Sequence, residues 1–265
     1  MTEIPFAKLH GAENDFLLTW ADDAPKRDLS EVARLICART TGIGGDGWML
    51  VSVEDGKLRT RLFNSDGSEP EMSGNGTRCA AAFGVWKNVV SGPEIHVSTG
   101  AGNKTLRLIG REGRRFFFEM NMGLPQLEEL YAAMHLAGTV YDATVLNVGN
   151  PQCAIFVDGF PLNWREVARE AEAHRRFPNR SNVSFVRLLD RHTIDCLFYE
   201  RGAGETRSSG TGSTGAGCAA ILRKAVDSPV EVRTPAGSMI LRWDDSVYLK
   251  GPAEFIGEGR FYLDL

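Results

Sequence analysis

Two short stretches of the sequence combine serine with glycines in a pattern that could bind an anion. They read Ser-Gly-Asn-Gly at 73–76 and Ser-Gly-Thr-Gly at 209–212, and an alanine-rich segment follows each. Serine is a favoured helix N-cap, so each stretch predicts the start of a helix. Glycine in a first turn costs helix stability, but it lets a ligand approach the N–H groups closely. Because a helix N-terminus carries about +0.5 of an elementary charge, each turn could hold a carboxylate.

The repetition of this turn indicates chemistry at a stereocentre beside a carboxylate. Inversion of an amino-acid α-carbon without a cofactor needs one group to remove the α-proton from one face and a second group to deliver a proton to the other. It also needs stabilisation of the negative charge that flows into the carboxylate. Two capped helix ends that converge on one ligand would meet both needs. We therefore predict that Ser73 and Ser209 are the catalytic acid–base pair.

The composition favours a small-molecule partner. The 265 residues carry a formal net charge of −4, with 30 basic and 34 acidic side chains spread along the chain. This balance argues against nucleic acid or an anionic membrane as the partner. The N-terminal residues lack the apolar stretch of a secretory signal, and no run is long enough for a membrane span. Five cysteines without a C-x-x-C pair are typical of reduced thiols, so we expect a cytoplasmic protein.

Strands outnumber helices in the sequence pattern. Short β-branched or aromatic runs bounded by Gly, Asp and Asn predict strands at 47–53, 58–64, 94–100, 105–110, 114–122, 144–149, 153–159, 182–189 and 193–202. Apolar periodicity and cap residues predict helices at 28–40, from Ser73 onward, at 163–177, and from Ser209 to near Val226.

The second half of the chain repeats the order of elements in the first. We therefore expect an α+β fold of two pseudo-symmetric domains, each a curved, mostly antiparallel sheet wrapped around a central helix. The expected domains are residues 1–122 plus 256–265, and residues 123–255.

Other motifs are excluded by their context. Gly42, Gly44 and Gly47 satisfy G-x-G-x-x-G, but this run follows a predicted helix and leads into a strand, the reverse of a dinucleotide fingerprint. The run GAGNKT at 100–105 lacks the ending of a phosphate loop and predicts a hairpin turn. No G-x-S-x-G occurs, and no histidines have zinc-ligand spacing. We expect neither a metal nor a cofactor.

Several longer motifs resemble those of the diaminopimelate epimerase family, the cofactor-independent epimerases of the proline racemase-like superfamily. They are KLHGAENDF (8–16), TGIGGDG (41–47), FNSDGSEPEMSGNGTRCAA (63–81), NVGNPQCAIFV (147–157), FPNRSNVSFV (177–186), YERGAGETRSSGTGSTGAGCAA (199–220) and GPAEFIGEG (251–259). The resemblance implies two pseudo-symmetric domains with a ligand between them, conversion of LL- to meso-diaminopimelate in lysine biosynthesis, and a possible homodimer.

The resemblance also assigns site residues. Substrate contacts of the family match Asn14, Asn64, Asn150, Asn182, Glu200 and Arg201, and its carboxylate-binding helix ends match Gly74, Asn75, Gly210 and Thr211. The side-chain chemistry agrees with this assignment. Arg201 can bind a carboxylate with two hydrogen bonds, Glu200 can receive an ammonium group, and the asparagines can both donate and accept.

The chain departs from the family pattern at the reacting positions. The family's two catalytic cysteines are Ser73 and Ser209 here, and its GNPH reads GNPQ, so Gln152 replaces a histidine. Gly45 and Gly47 replace larger residues, which predicts a reshaped wall of the site. A helix N-terminus can bring a thiol pKa to about 3.5 to 7.5, whereas an alcohol is a far weaker acid.

Three functions therefore remain open. The first is a slow epimerase that uses the two serines. The second is another isomerase or lyase in which Glu200 or another carboxylate is the base. The third is a silent amino-acid-binding protein. Neither Cys79 nor Cys218 lies on the helix face of its cap, so we expect both in the core.

Overall fold

The structure is a computed structural model that describes residues 2–263. The chain divides into two compact units. One unit extends to Met120 and resumes at Gly251, and the other comprises Asn121–Lys250.

Among the described residues, the first unit contains seven strands and two helices in its first segment, and the end of β16 (Val247–Leu263) in its second segment, from Gly251 onward. In chain order, the elements of the first segment are β1 (Thr2–Gly11), β2 (Asn14–Trp20), a single 3-10 turn (Ala21–Asp23), α1 (Leu29–Cys37), β3 (Gly47–Glu54), β4 (Lys57–Asn64), α2 (Gly74–Trp86), β5 (Glu94–Thr99), β6 (Gly102–Glu112) and β7 (Arg115–Gly123). The end of β7 already belongs to the second unit.

The second unit has a similar order, with three strands before its first helix and a short additional strand, Gly204–Thr206, before its second helix. Its elements are β8 (Gln126–Leu136), β9 (Thr139–Asn147), β10 (Pro151–Phe156), α3 (Trp164–Glu172), β11 (Asn182–Asp190), β12 (Thr193–Glu200), β13 (Gly204–Thr206), α4 (Gly210–Leu222), β14 (Val230–Thr234), β15 (Gly237–Trp243) and the start of β16 (Val247–Leu263).

The sheet of the first unit is built around α2. The strands follow the order β1-β2-β3-β4-β5-β6-β7, and both β1 and β7 neighbour β16. The pairs β2–β3 and β4–β5 are parallel. The antiparallel pairs are β1–β2, β3–β4, β5–β6, β6–β7 and β1–β16. Helix α2 packs against β1, β2, β4 and β5 and is buried from Gly74 to Gly84. Small and apolar residues from Cys79 to Gly84 allow this close packing, and the polar side chains Asn75 and Arg78 are buried with hydrogen-bond partners.

The sheet of the second unit is built around α4 in the same way. Its strands follow the order β8-β9-β10-β11-β12-β14-β15-β16, with β10–β11 and β12–β14 parallel. Apolar residues of α4, including Ala216, Cys218 and Ala219, lie in a core with Val230, Leu241 and other strand residues. Each unit is therefore a mostly antiparallel sheet with a buried central helix, as the sequence predicts.

The other two helices are amphipathic and pack on the sheets with one face only. Helix α1 buries Val32, Ala33 and Ile36, and α3 buries Trp164 and Val167. All four predicted helices are confirmed, but α1, α3 and α4 end earlier than the sequence pattern indicates. The run at 42–47 follows α1 and leads into β3, which confirms that it is not a dinucleotide fingerprint.

Two kinds of feature are absent from residues 2–263. No helix there combines the length and the apolar character that crossing a membrane requires. The same residues hold no group of three or more His, Cys, Asp or Glu side chains placed to share a metal ion.

Candidate active site

Ser73 caps α2, the central helix of the first unit. Its backbone is extended, with φ −124° and ψ 126°, and its Oγ accepts a hydrogen bond of 3.1 Å from the N–H of Gly76. This bond serves the third helical residue, so the helix leaves the N–H groups of Gly74 and Asn75 to acceptors outside it. No acidic side chain lies in the first turn of α2. An anion at this end therefore competes with no carboxylate of the turn.

A chain of side-chain amides extends from this helix end. Asn75 is 2% exposed, and its Nδ2 donates to Asn14 Oδ1 at 3.3 Å. Asn14 in turn donates from Nδ2 to Asp46 Oδ2 at 2.6 Å. The structure thus brings together two of the predicted site residues, Asn14 and Asn75, and joins them to Asp46, which the sequence analysis does not single out.

Two cations hold the carboxylates beside this chain. Arg39 donates to Asp15 at 2.8 Å and to Asp46 at 2.6 Å, and Lys8 lies 3.0 Å from Asp15. The backbone N–H groups of Asp15 and Asp46 each donate to the other residue's carboxylate at 3.1 Å. Burial opposes ionisation of Asp15, but the hydrogen bonds from Arg39 and Lys8 outweigh it and lower the pKa of this carboxyl.

Acidification is expected to destabilise the protein partly through Asp15. A carboxyl whose pKa is depressed in the folded state stabilises that state above its unfolded value of about 3.9, and this contribution is lost as the pH falls through the folded value. We therefore expect Asp15→Asn to lose less free energy of unfolding than the wild type between about pH 5 and pH 2. Urea unfolding at a series of pH values measures this slope. Equal slopes for the two proteins would contradict the expectation.

Asn64 lies apart from this chain of amides. Its Nδ2 donates to Ser68 Oγ at 2.9 Å, and its main chain pairs with Gly47 in the β3–β4 ladder. The N–H of the next residue, Ser65, donates to the main-chain oxygen of Asp46 at 3.0 Å. Asn64 and Ser65 therefore contact the backbone at Gly47 and Asp46, whereas Asn14 contacts the side chain of Asp46.

Ser209 caps α4 with the geometry that Ser73 has at α2. Its φ is −142° and its ψ 126°, and its Oγ accepts from the N–H of Gly212 at 3.0 Å. The hydroxyl also donates to Glu200 Oε2 at 3.0 Å, and Thr206 donates to Glu200 Oε1 at 2.8 Å. Ser209 is 2% exposed. The Ser209 hydroxyl therefore donates to a carboxyl group, Glu200, that can accept its proton.

The two cap hydroxyls differ in this respect. Within residues 2–263 no carboxylate hydrogen-bonds to Ser73, whose Oγ contacts the N–H of Gly76. The same turn thus occurs in two electrostatic settings, one with a carboxylate partner and one without.

The remaining predicted residues of the second unit form a second hydrogen-bonded group. Gln152 Nε2 donates to Asn150 Oδ1 at 2.6 Å, and Asn150 Nδ2 approaches Thr211 Oγ1 at 3.4 Å. Asn182 Oδ1 accepts from the backbone N–H of Arg201 at 3.0 Å, and its Nδ2 donates to Pro151 O at 3.1 Å. Asn182 therefore fixes the backbone at Arg201, whose exposed side chain reaches Asn179 O at 3.3 Å.

Comparison with known proteins assigns the chain to a family. The family model for diaminopimelate epimerase matches residues 6–128 and 144–256. This chain belongs to the diaminopimelate epimerase family. A diaminopimelate epimerase from Moorella thermoacetica is 38% identical, over 98% of this chain and 99% of that protein.

Solved structures with low sequence identity to this chain share its fold. A phenazine biosynthesis protein of the PhzF family from Bacillus anthracis has a TM-score of 0.76 and 16% identity, covering 99% of this chain and 100% of that one. A hydroxyproline epimerase from Agrobacterium vitis with bound trans-4-hydroxy-L-proline has a TM-score of 0.75 and 14% identity, covering 100% of this chain and 94% of that one. At these identities the likeness concerns the fold alone.

The glycines of the two cap turns have a packing role in this family member. A Cβ at Gly76 would lie 2.9 Å from Met49 Cε, and a Cβ at Gly212 would lie 2.7 Å from Phe198 Cδ1 and 2.9 Å from Ser209 Oγ. Packing against these side chains therefore requires glycine at both positions, and access of a ligand to the N–H groups of the turn stays a prediction.

Gly47 also has a packing role. A Cβ there would lie 2.9 Å from Phe63 O, whereas a Cβ at Gly45 would meet its neighbours at an ordinary 3.5 Å. Gly47 thus allows β3 to lie close to β4, and the space for a side chain at this position is filled by neighbouring residues.

The cysteines are core residues, as the sequence predicts. All five are free and buried, and burial raises the pKa of Cys79 and of Cys218 to about 12. Neither thiol is suited to proton transfer near neutral pH.

Proposed function

We propose that this chain is a cofactor-independent amino-acid epimerase that interconverts LL- and meso-diaminopimelate. The observation that carries the proposal is the Ser209 hydroxyl, hydrogen-bonded both to the end of α4 and to Glu200, in a member of the diaminopimelate epimerase family. The choice of substrate follows the relatives, because curated proteins that are 34 to 38% identical to this chain bear the name diaminopimelate epimerase.

In this proposal the two helix ends bind the substrate's α-carboxylate. Negative charge that develops as the α-proton leaves is then stabilised by the N–H groups of Gly74, Asn75, Gly210 and Thr211, which are fixed before the reaction starts. Asn14, Asn64, Asn150, Asn182 and Arg201 bind the distal amino-acid end.

Proton transfer begins at Ser209 in this scheme. Its Oγ takes the α-proton while its own proton passes to Glu200, so that the hydroxyl is never required to exist as a free alkoxide. Ser73 then gives its proton to the other face of the α-carbon and regains one from solvent. Return of the proton from Glu200 to solvent restores the starting state.

The unequal settings of the two hydroxyls support a second candidate function. Removal of the α-proton on the Ser209 side is assisted by Glu200, and donation from Ser73 has no comparable partner. A protein with this asymmetry would exchange the α-proton with solvent faster than it inverts the centre. Such behaviour suits an isomerase that moves a proton on one face only.

Incubation with LL- or meso-diaminopimelate in heavy water tests both functions. The epimerase proposal predicts loss of the α-proton signal above a blank, together with appearance of the other isomer. Exchange without the other isomer would favour the one-face reaction instead. Calorimetric binding with no exchange would indicate a silent binding protein, and absence of both binding and exchange would reject the substrate.

A further inference from the structure

One end of the amide chain in the first unit is a buried arginine. Arg78 lies one turn after Asn75 on α2 and is 0% exposed. Its Nη2 donates to Asn75 Oδ1, and its Nε donates to Pro252 O at 3.1 Å. Burial lowers the pKa of Arg78 to about 10, which leaves the guanidinium charged at neutral pH.

The other end is the carboxylate of Asp46. Its Oδ2 accepts from Asn14 at 2.6 Å and from the N–H of Asp15 at 3.1 Å, and its Oδ1 accepts from Arg39 at 2.6 Å. In each of these hydrogen bonds the carboxylate of Asp46 is the acceptor.

These two ends determine the orientation of both amides between them. A guanidinium only donates and a carboxylate only accepts, so Asn75 must turn its oxygen to Arg78 and its NH2 group to Asn14. Asn14 must then accept with its oxygen and donate to Asp46. We propose that Arg78 and Asp46 are positioning residues that lock Asn75 and Asn14 with their oxygens turned toward Arg78 and Asn75, so that these amides present their NH2 groups to a ligand as donors.

The inference rests on the proposed function and adds a specificity to it. Amides held in this way favour a carboxylate or another acceptor and disfavour an ammonium group at the same position. A flip of either amide would place two donors or two acceptors together, and the cost is largest at Asn75, which is buried.

Backbone packing holds the two key side chains in place. A Cβ at Gly251 would lie 2.9 Å from Arg78 Cζ, and a Cβ at Gly11 would lie 3.2 Å from Asn75 O and 3.3 Å from Asn75 Cβ. Both glycines let a neighbouring strand lie directly against the chain of amides. Close packing of this kind limits the rotamers open to Arg78 and Asn75.

The second unit lacks such an anchor. Its chain of side chains starts at Gln152, an amide that can itself be reversed, and Gln152 Oε1 is buried without a hydrogen-bond partner among residues 2–263. In the described part of the chain, amides fixed in orientation between a guanidinium and a carboxylate are therefore found in the first unit and not in the second.

Four variants of the full chain test the inference. Arg78→Met removes the donor, Arg78→Lys keeps one, and Asp46→Ala removes the acceptor at a side chain that is 41% exposed. Glu54→Ala is the control, since it also removes a carboxylate paired with an arginine of this unit but contacts neither asparagine. The readouts are the side-chain NH2 signals of Asn14 and Asn75 in ¹⁵N NMR without ligand, and calorimetry with meso-diaminopimelate.

We expect Arg78→Met and Asp46→Ala to shift the NH2 signals of the asparagine beside the change and to weaken binding by about tenfold, the effect of one lost hydrogen bond. For Arg78→Lys and Glu54→Ala, the dissociation constant of meso-diaminopimelate should stay within about threefold of the wild-type value.

Unchanged NH2 signals in folded Arg78→Met or Asp46→Ala would overturn the inference. Binding by Arg78→Lys that is as weak as binding by Arg78→Met would also overturn it. If Arg78→Met does not fold, Asp46→Ala decides. A wild type that binds no diaminopimelate would reject the proposed function, while the amide signals would still report on the lock.

Discussion

Replacement of both cap serines by cysteine, Ser73→Cys with Ser209→Cys, is expected to raise α-proton exchange on diaminopimelate by about 10²-fold or more. A thiol at a helix N-terminus ionises near or below neutral pH, because the helix end and the capped N–H group stabilise the thiolate. The same helix end cannot do this for an alcohol. The N–H groups of Gly76 and Gly212, which now donate to the serine oxygens, would donate to the sulfurs.

The measurement is deuterium incorporation at the α-carbon followed by NMR, with each single variant beside the double. Ser213→Cys is the matched control. Ser213 lies on α4 one turn after Ser209, is 0% exposed, and its Oγ has no hydrogen-bond partner among residues 2–263. A thiol there should leave exchange at the wild-type rate. If the folded double variant exchanges no faster than the wild type, the substrate does not reach these caps, and the assignment of Ser73 and Ser209 as the acid–base pair fails.

The central helices and their caps are the part of the fold that the sequence predicts best. Serine followed by small residues specifies a helix start through local hydrogen bonds, and each cap serine does bond to the N–H of the third helical residue. Such bonds form between residues only three positions apart, so a short sequence pattern is enough to predict them.

Strand β8 shows why other elements are missed. Gln126–Leu136 is rich in Leu, Glu, Ala and Met, which favour helices, and no strand is predicted there. It nonetheless pairs antiparallel with β9 and buries Ala132, Met134 and Leu136 on alternate positions. Tertiary pairing overrides the local preference, and a single sequence does not reveal its partner strand.

The sequence predicts which types of residue form the candidate site better than it predicts the hydrogen bonds between them. Asn14 and Asn75 are expected as site residues, but Asp46 and Arg78 are not, although both lie in motifs that carry the family resemblance. Their roles depend on contacts between residues 32 and 174 positions apart, such as Asn14 with Asp46 and Arg78 with Pro252. Only a fold brings such groups together, so the direction of the hydrogen bonds cannot be derived from spacing.

Conversion of Glu200 to glutamine is expected to lower α-proton exchange by about 10² to 10⁴-fold, the usual contribution of a general base. Thr206 and Ser209 donate to different oxygens of Glu200, at 2.8 and 3.0 Å. Glutamine keeps one of these acceptors and places an NH2 group at the other, where the facing hydroxyl can accept from it, so the side chain keeps two hydrogen-bonded neighbours. What is lost is the ability to receive the proton of Ser209. We therefore expect kcat to fall while the melting temperature stays close to that of the wild type.

Glu200 has a second possible task, which the same variant separates from the first. If its carboxylate only binds the substrate's ammonium group, Glu200→Gln should weaken binding and raise KM with kcat nearly unchanged. If it is the base behind Ser209, kcat should fall at saturating substrate. Glu205→Gln is the control, because Glu205 lies on the neighbouring strand β13, is paired with Arg165 and is 44% exposed. A kcat that is the same in Glu200→Gln, Glu205→Gln and the wild type would show that Ser209 transfers its proton without this carboxylate, and the asymmetry between the two caps would then have no catalytic consequence.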